Sequence, residues 1–187
     1  MDVLTIIKKE HREVGALIDE ADGCDPGEER LIELAAEIEK KLSLHLAIEE
    51  RLFYAVLRSG AEEQEQQVDV FEAYTEHAVA KALIEMLHSG RKPDQKFKAE
   101  LQVLGETVKH HVEEEESTVF GIAKKLLDAD ELEEIGVKWE RAKQRATKEA
   151  EGTTGRPARA TAAKTSRSST SRKKAATTPA RRKTTRR

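Results

Sequence analysis

Apolar residues recur every three or four positions along most of the chain, and the breaks in that rhythm divide it into segments. Leu4, Ile7, Val14 and Ile18 mark one face of a helix from Asp2 to about Ala21, which Gly23-Cys24-Asp25-Pro26-Gly27 ends. A second run uses Leu31, Leu34, Ile38, Leu42, Ile48, Leu52 and Val56 and stops near Ser59-Gly60. A third places Val70, Tyr74, Ile84 and Leu87 on one face before Gly90-Arg91-Lys92-Pro93. The fourth runs through Phe97, Leu101, Leu104, Val108, Val112, Val119, Ile122 and Leu126, with Asp94 placed to cap it. Leu132, Ile135, Val137 and Trp139 form a last amphipathic stretch that fades near residue 150. Short links between long helices favour antiparallel neighbours. The pattern therefore predicts an all-α protein: an up-down-up-down four-helix bundle over residues 1–150 with an additional C-terminal helix.

Composition agrees. Aromatic residues make up only 4% of the chain, which argues against a sandwich or barrel. Charge changes the picture more. All 36 Asp and Glu lie in residues 1–151 with 21 of the 33 Lys and Arg, leaving that segment at −15, while residues 152–187 carry the other 12 as unopposed positive charge. Residues 151–187 are otherwise Thr, Ser, Ala, Gly and Pro after Glu151, so the sequence predicts a disordered basic tail. The clusters Arg172-Lys173-Lys174 and Arg181-Arg182-Lys183 resemble the tails of linker histones and bacterial histone-like proteins. Without an aromatic residue the tail cannot stack bases, so it is expected to contact DNA phosphates without sequence preference. The alternative is a solubilising arm, or one that folds back on the acidic body. One cysteine, Cys24, allows no internal disulfide, and neither a signal sequence nor an apolar run of membrane-spanning length is evident. The expectation is a cytoplasmic, nucleoid-associated protein with no membrane partner.

Continuing each apolar stripe through its gaps exposes the candidate chemistry. The gaps are His11 on the first helix, His45 and Glu49 on the second, His77 on the third, and His111 and Glu115 on the fourth. A histidine followed four residues later by Glu is unremarkable by itself. A histidine on the core stripe of all four helices is hard to obtain by accident, and an ionised Glu in a bundle core needs a compensating cation or donor. A satisfied network of core histidines remains the alternative. Four imidazoles and two carboxylates exceed one tetrahedral zinc and suit two divalent ions such as iron or manganese. His110, paired with Glu114, is the alternative to His111 as a ligand, although it lies about 100° off the stripe, and His88 reads as a surface group at a helix end. Glu113, Glu114 and Glu116 read as a solvated face or as outer partners of the site. No nucleophile motif, phosphate loop or dinucleotide fingerprint is present.

The ordered set His11, then His45-Leu-Ala-Ile-Glu49-Glu50 with Leu52-Phe53, then Glu76-His77, then His110-His111-Val-Glu-Glu-Glu115-Glu116 with Phe120, resembles the hemerythrin-like (HHE cation-binding) domain. The resemblance implies two iron ions, one held by His11 and His45 and the other by His77 and His111, with Glu49 and Glu115 bridging. It also implies a small partner at the metal: oxygen, peroxide or nitric oxide. The oxygen carriers of that family have a second histidine one turn after the third-helix ligand, where Lys81 stands here. That difference implies an open position on one iron, with Tyr74 either a phenolate substitute or a core residue. A protein that stores or supplies iron without turnover is the alternative function.

Overall fold

Residues 1–87 and 91–153 are described by the computed structural model of the protein, and all regular structure among them is helical. Asp2 starts α1 (Val3–Gly23) by accepting the Thr5 amide on its carboxylate at 3.0 Å, which satisfies one of the orphan N–H groups of the first turn. The second rod is α2 (Arg30–Glu49), a π-helical turn π1 (Glu50–Tyr54) and α3 (Ala55–Gly60). The third is α4 (Gln64–Leu87). The fourth is α5 (Gln95–Glu114), capped by Asp94 as its sequence predicts, followed by a second π turn, π2 (Glu115–Val119), and α6 (Phe120–Leu126). The fifth is α7 (Ala129–Thr153), whose first turn is held by Asp128 accepting the Glu131 amide at 2.9 Å.

Two apolar clusters fill the interior. One joins Val14 and Ile18 of α1, Leu34 to Leu46 of α2, Ala80 to Leu87 of α4 and Phe97 to Val108 of α5. The other joins Val3 to Ile7, Ile48 to Leu57, Val70 with Ala73, Val119 to Ala123, and Ile135 with Trp139 of α7. Chain direction alternates: α1 runs from the second cluster to the first, α2 back, α4 forward and α5 back. That alternation is the expected up-down-up-down bundle, and α7 lies against α1 and α2. Gly136 permits that docking, because a Cβ there would run into the backbone of Met1. On all four bundle rods the predicted His and Glu positions fall between the two clusters, at one depth.

Some predicted core positions differ. Past Glu49 the stripe moves from Leu52 and Val56, which are half-buried and exposed, to Phe53, Tyr54 and Leu57. The cause is π1, which adds one residue to the turn and rotates everything after it. On α4 the interior positions are Ala73 and Ala80, while Tyr74 and Lys81 sit at the bundle edge. Val137 is exposed, because its neighbours Ile135 and Trp139 take the buried face of α7. His88 and the predicted tail beyond Thr153 lie outside the described residues.

Candidate metal centre

His11, His45, His77, His111, Glu49 and Glu115 are all buried. Between the two apolar clusters, four ring Nε2 atoms and two carboxylates converge. His45 Nε2 lies 3.2 Å and His77 Nε2 3.4 Å from the same Glu49 Oε2. Glu115 Oε2 lies 3.2 Å from His11 Nε2 and 3.9 Å from His111 Nε2. His77 and His111 face each other Nε2 to Nε2 at 3.1 Å, and the His11 and His45 rings stand 5.1 Å apart. One ligand atom from each of His11, Glu49, His111 and Glu115 lies within 4.8 Å of the others. Each carboxylate therefore reaches one histidine of the His11–His45 pair and one of the His77–His111 pair.

The outer nitrogens are anchored in a ring. His45 Nδ1 donates to Glu10 at 2.9 Å, His77 Nδ1 to Glu50 at 3.1 Å, His111 Nδ1 to Glu76 at 2.8 Å and His11 Nδ1 to Glu116 at 3.0 Å. Each of these carboxylates is the sequence neighbour of an interior residue on its own rod, yet it holds the histidine of the next rod. The circuit runs from α1 to α2, π1 to α4, α4 to α5 and π2 back to α1. Such bonds fix Nδ1 as the outer donor, so that every Nε2 faces inward as the ligating position, and raise its basicity. The ring carboxylates have partners in turn: Lys81 on Glu50 at 2.6 Å, Lys8 on Glu116 at 3.2 Å, His110 within 3.4 Å of Glu76, and both Lys143 and Trp139 on Glu10.

These donors suit a metal. His11 Nε2, His45 Nε2 and both oxygens of Glu49 and Glu115 are buried without a hydrogen-bonding partner, a costly state unless a cation meets them. With both Nδ1 atoms facing outward, the ligating Nε2 atoms of His77 and His111 point at each other. At 3.1 Å apart, the two Nε2 atoms are close enough that one ion would be met by both. Electrostatics agree. Burial opposes charge on His45, but Glu49 and the hydrogen bond to Glu10 override it and raise the ring to about 10. His111 is raised too, against its burial, by Glu76 and Glu115. Burial and the neighbouring Glu49 charge push Glu115 up, whereas the histidines hold Glu49 well below the usual carboxylate range despite its burial. The pocket is short of positive charge, and protons supply it where metal does not.

Lys81 and Tyr74 take places other than those the sequence suggested. Lys81 braces Glu50, the carboxylate that orients His77. Tyr74 donates to the Glu50 backbone carbonyl at 3.1 Å and is half-buried. The tyrosine at the site is Tyr54, fully buried, with its hydroxyl 3.4 Å from His77 Nε2 and its ionisation pushed well up by burial and by Glu49. Its signal was hidden because an unbroken helix turns position 54 away from the interior. His110 is exposed, and Glu116 belongs to the anchoring ring.

Trp139 and Lys143 were also missed as site residues. Trp139 is fully buried with its ring 5.6 Å from that of His45, and its Nε1 donates to Glu10 at 3.2 Å beside Lys143 Nζ at 2.6 Å. Both donate to one oxygen, leaving the other for His45. Trp139→Phe and Lys143→Met are therefore expected to weaken metal retention 10- to 100-fold, the usual effect of losing such an outer partner, with helicity unchanged. Competition against a graded series of chelators reads this directly, and unaltered retention in both variants would exclude the brace.

The chain belongs to the hemerythrin HHE cation-binding domain family, whose sequence profile matches residues 2–123. Its buried His/Glu cluster is where a cation-binding member of that family would hold its metal. A protein from Nostoc sp. (strain PCC 7120 / SAG 25.82 / UTEX 2576) named DNA nickase is 28% identical over 146 residues, which is 78% of this chain and 40% of that protein. The chain thus spans less than half the length of that relative. The crystal structure of a hemerythrin HHE cation-binding domain-containing protein from Mycobacterium kansasii has a TM-score of 0.65 at 19% identity, covering 83% of this chain and 95% of that one. At that identity the likeness is one of fold.

Proposed function

We propose that the protein is a non-haem di-iron protein that binds or consumes a small oxidant (oxygen, peroxide or nitric oxide), and that residues 152–187 contact DNA and place it at the nucleoid. The observation that carries the metal reading is the set of unpartnered buried nitrogens and oxygens enclosed by four anchored histidines. In this reading His11 and His45 hold one ion, His77 and His111 the other, and Glu49 and Glu115 span both, as their distances to both pairs support. Iron would supply reversible electron transfer to a bound oxidant. Manganese fits the same donors less specifically, since imidazole suits iron well.

The chain's own residues do the rest. The carboxylate ring keeps the imidazoles in one tautomer and one orientation. Phe53, Phe120 and Trp139 exclude water from one side of the polar layer, and Leu42, Leu46 and Leu104 from the other. The Tyr54 hydroxyl holds a proton inside the pocket beside His77, where a reduced oxidant needs one. The DNA reading rests on the charge of residues 152–187, and the name of the Nostoc relative also concerns DNA.

Adding Fe²⁺ to the metal-free protein tests the metal reading. Uptake of two ions per chain is expected, with proton release, because the His45 ring, raised to about 10, must give up its proton to ligate. Binding should tighten as pH rises from 6.5 toward about 10. Consumption of peroxide by the loaded protein separates oxidant chemistry from iron storage. Absence of iron uptake overturns the metal reading.

A further inference from the structure

We propose that divalent cations, ferrous iron among them, reach the buried centre through an acidic mouth between α4 and π2; the route rests on the metal reading above. A small cavity of about 30 Å³ opens there, lined by Asp69, Glu72, Glu76, Glu114, Glu115 and Thr118 with two apolar neighbours. Asp69, Glu72 and Glu76 follow one another at helical spacing along a single face of α4. None of the lining residues is basic. Asp69, Glu72 and Glu114 have no ion pair among the described residues, so their charge is not spent on the protein itself.

The inner end distinguishes this mouth from an ordinary acidic surface. Glu115 is 1% exposed, both of its oxygens lack a hydrogen-bonding partner, and it is at once a wall of the cavity and a member of the metal cluster. A cation arriving at the outer carboxylates is one side chain away from its destination. The cavity has room for about one water molecule, so an entering aquo ion exchanges its water for carboxylate oxygen on the way in, a replacement that hard cations accept. A second opening, of about 90 Å³, lies beside His45, but there Lys41 and Lys143 are paired with Glu13 and Glu10, so its lining carries no net negative charge. Of the two openings only the first is lined by unpaired carboxylates, and the cation takes that one.

The test uses full-length, metal-free protein mixed anaerobically with Fe²⁺ and quenched with a chelator that counts unbound ion. In Asp69→Asn/Glu72→Gln/Glu114→Gln, initial loading at low salt should slow at least about tenfold, within the range that electrostatic steering supplies. The final two ions per chain should be unchanged. Added salt should slow the unaltered protein toward the variant and leave the variant nearly unaffected. Glu72→Lys, a single exposed change, should slow loading in the same sense, and Lys41→Gln should not. Loading of the triple variant at the unaltered rate, or slow loading by Lys41→Gln instead, overturns the route. A full-length protein that takes up no metal overturns the reading beneath it.

Discussion

Glu115→Ala is expected to leave less than one iron per chain where the di-iron reading expects two of the unaltered protein, while the metal-free form stays at least as stable. Both halves of that outcome follow from the same geometry. The Glu115 carboxylate lies 3.2 Å from His11 Nε2 and 3.9 Å from His111 Nε2, so in the proposed di-iron site its loss would remove a ligand from both positions at once. Without metal, the same carboxylate is buried, unpartnered and next to the charge of Glu49, and its ionisation is pushed up accordingly. Replacing such a group with a methyl removes a desolvation cost of several kcal/mol and leaves a small cavity costing ~1–2 kcal/mol, so metal-free stability should hold or rise. His45→Ala should also lose iron, but from the His11–His45 position first. Metal analysis beside thermal unfolding of the metal-free proteins reads both quantities. Two irons retained in Glu115→Ala would remove Glu115 from the ligand set.

The bundle was legible because its helices carry a strict apolar rhythm, and the six interior residues because each sits at a gap in that rhythm. What periodicity could not reveal begins at Glu50. After Glu49 the chain offers two apolar continuations, Leu52 with Val56 or Phe53 with Leu57, and a constant 3.6-residue turn selects the first. The π turn at Glu50–Tyr54, which follows the interior Glu49, selects the second, and a matching π turn at Glu115–Val119 begins with the interior Glu115. Single-turn π bulges within helices recur at functional sites. Here one brings Tyr54 to His77. The anchoring ring was hidden for another reason. Glu10, Glu50, Glu76 and Glu116 stand beside interior residues in sequence, but each serves a histidine on a neighbouring rod, so packing alone reveals the pairing. Lys81 looked like a missing ligand because the ring was not yet visible. Likewise α7, read as a helix laid across a finished bundle, contributes Trp139 and Lys143 to Glu10 from beyond the residues matched by the family profile.

Deleting residues 152–187 is expected to abolish retention of the protein on duplex DNA without changing its iron content. The remaining segment carries −15 net, so the phosphate backbone repels most of its surface, whereas the deleted residues carry 12 positive and no negative charges. If six to ten of those cations meet phosphates, counterion release makes full-length affinity fall about 10³- to 10⁵-fold between 50 and 200 mM salt. With no aromatic residue in the segment, duplexes of different sequence should bind alike. Iron should be unaffected, because every ligand candidate and every anchoring partner lies at or before Lys143. Electrophoretic shift across a salt series, with metal analysis of both forms, measures all of this. A full-length protein that shifts no duplex at low salt would refute DNA contact and leave the acidic body, or another anionic partner, as the tail's target.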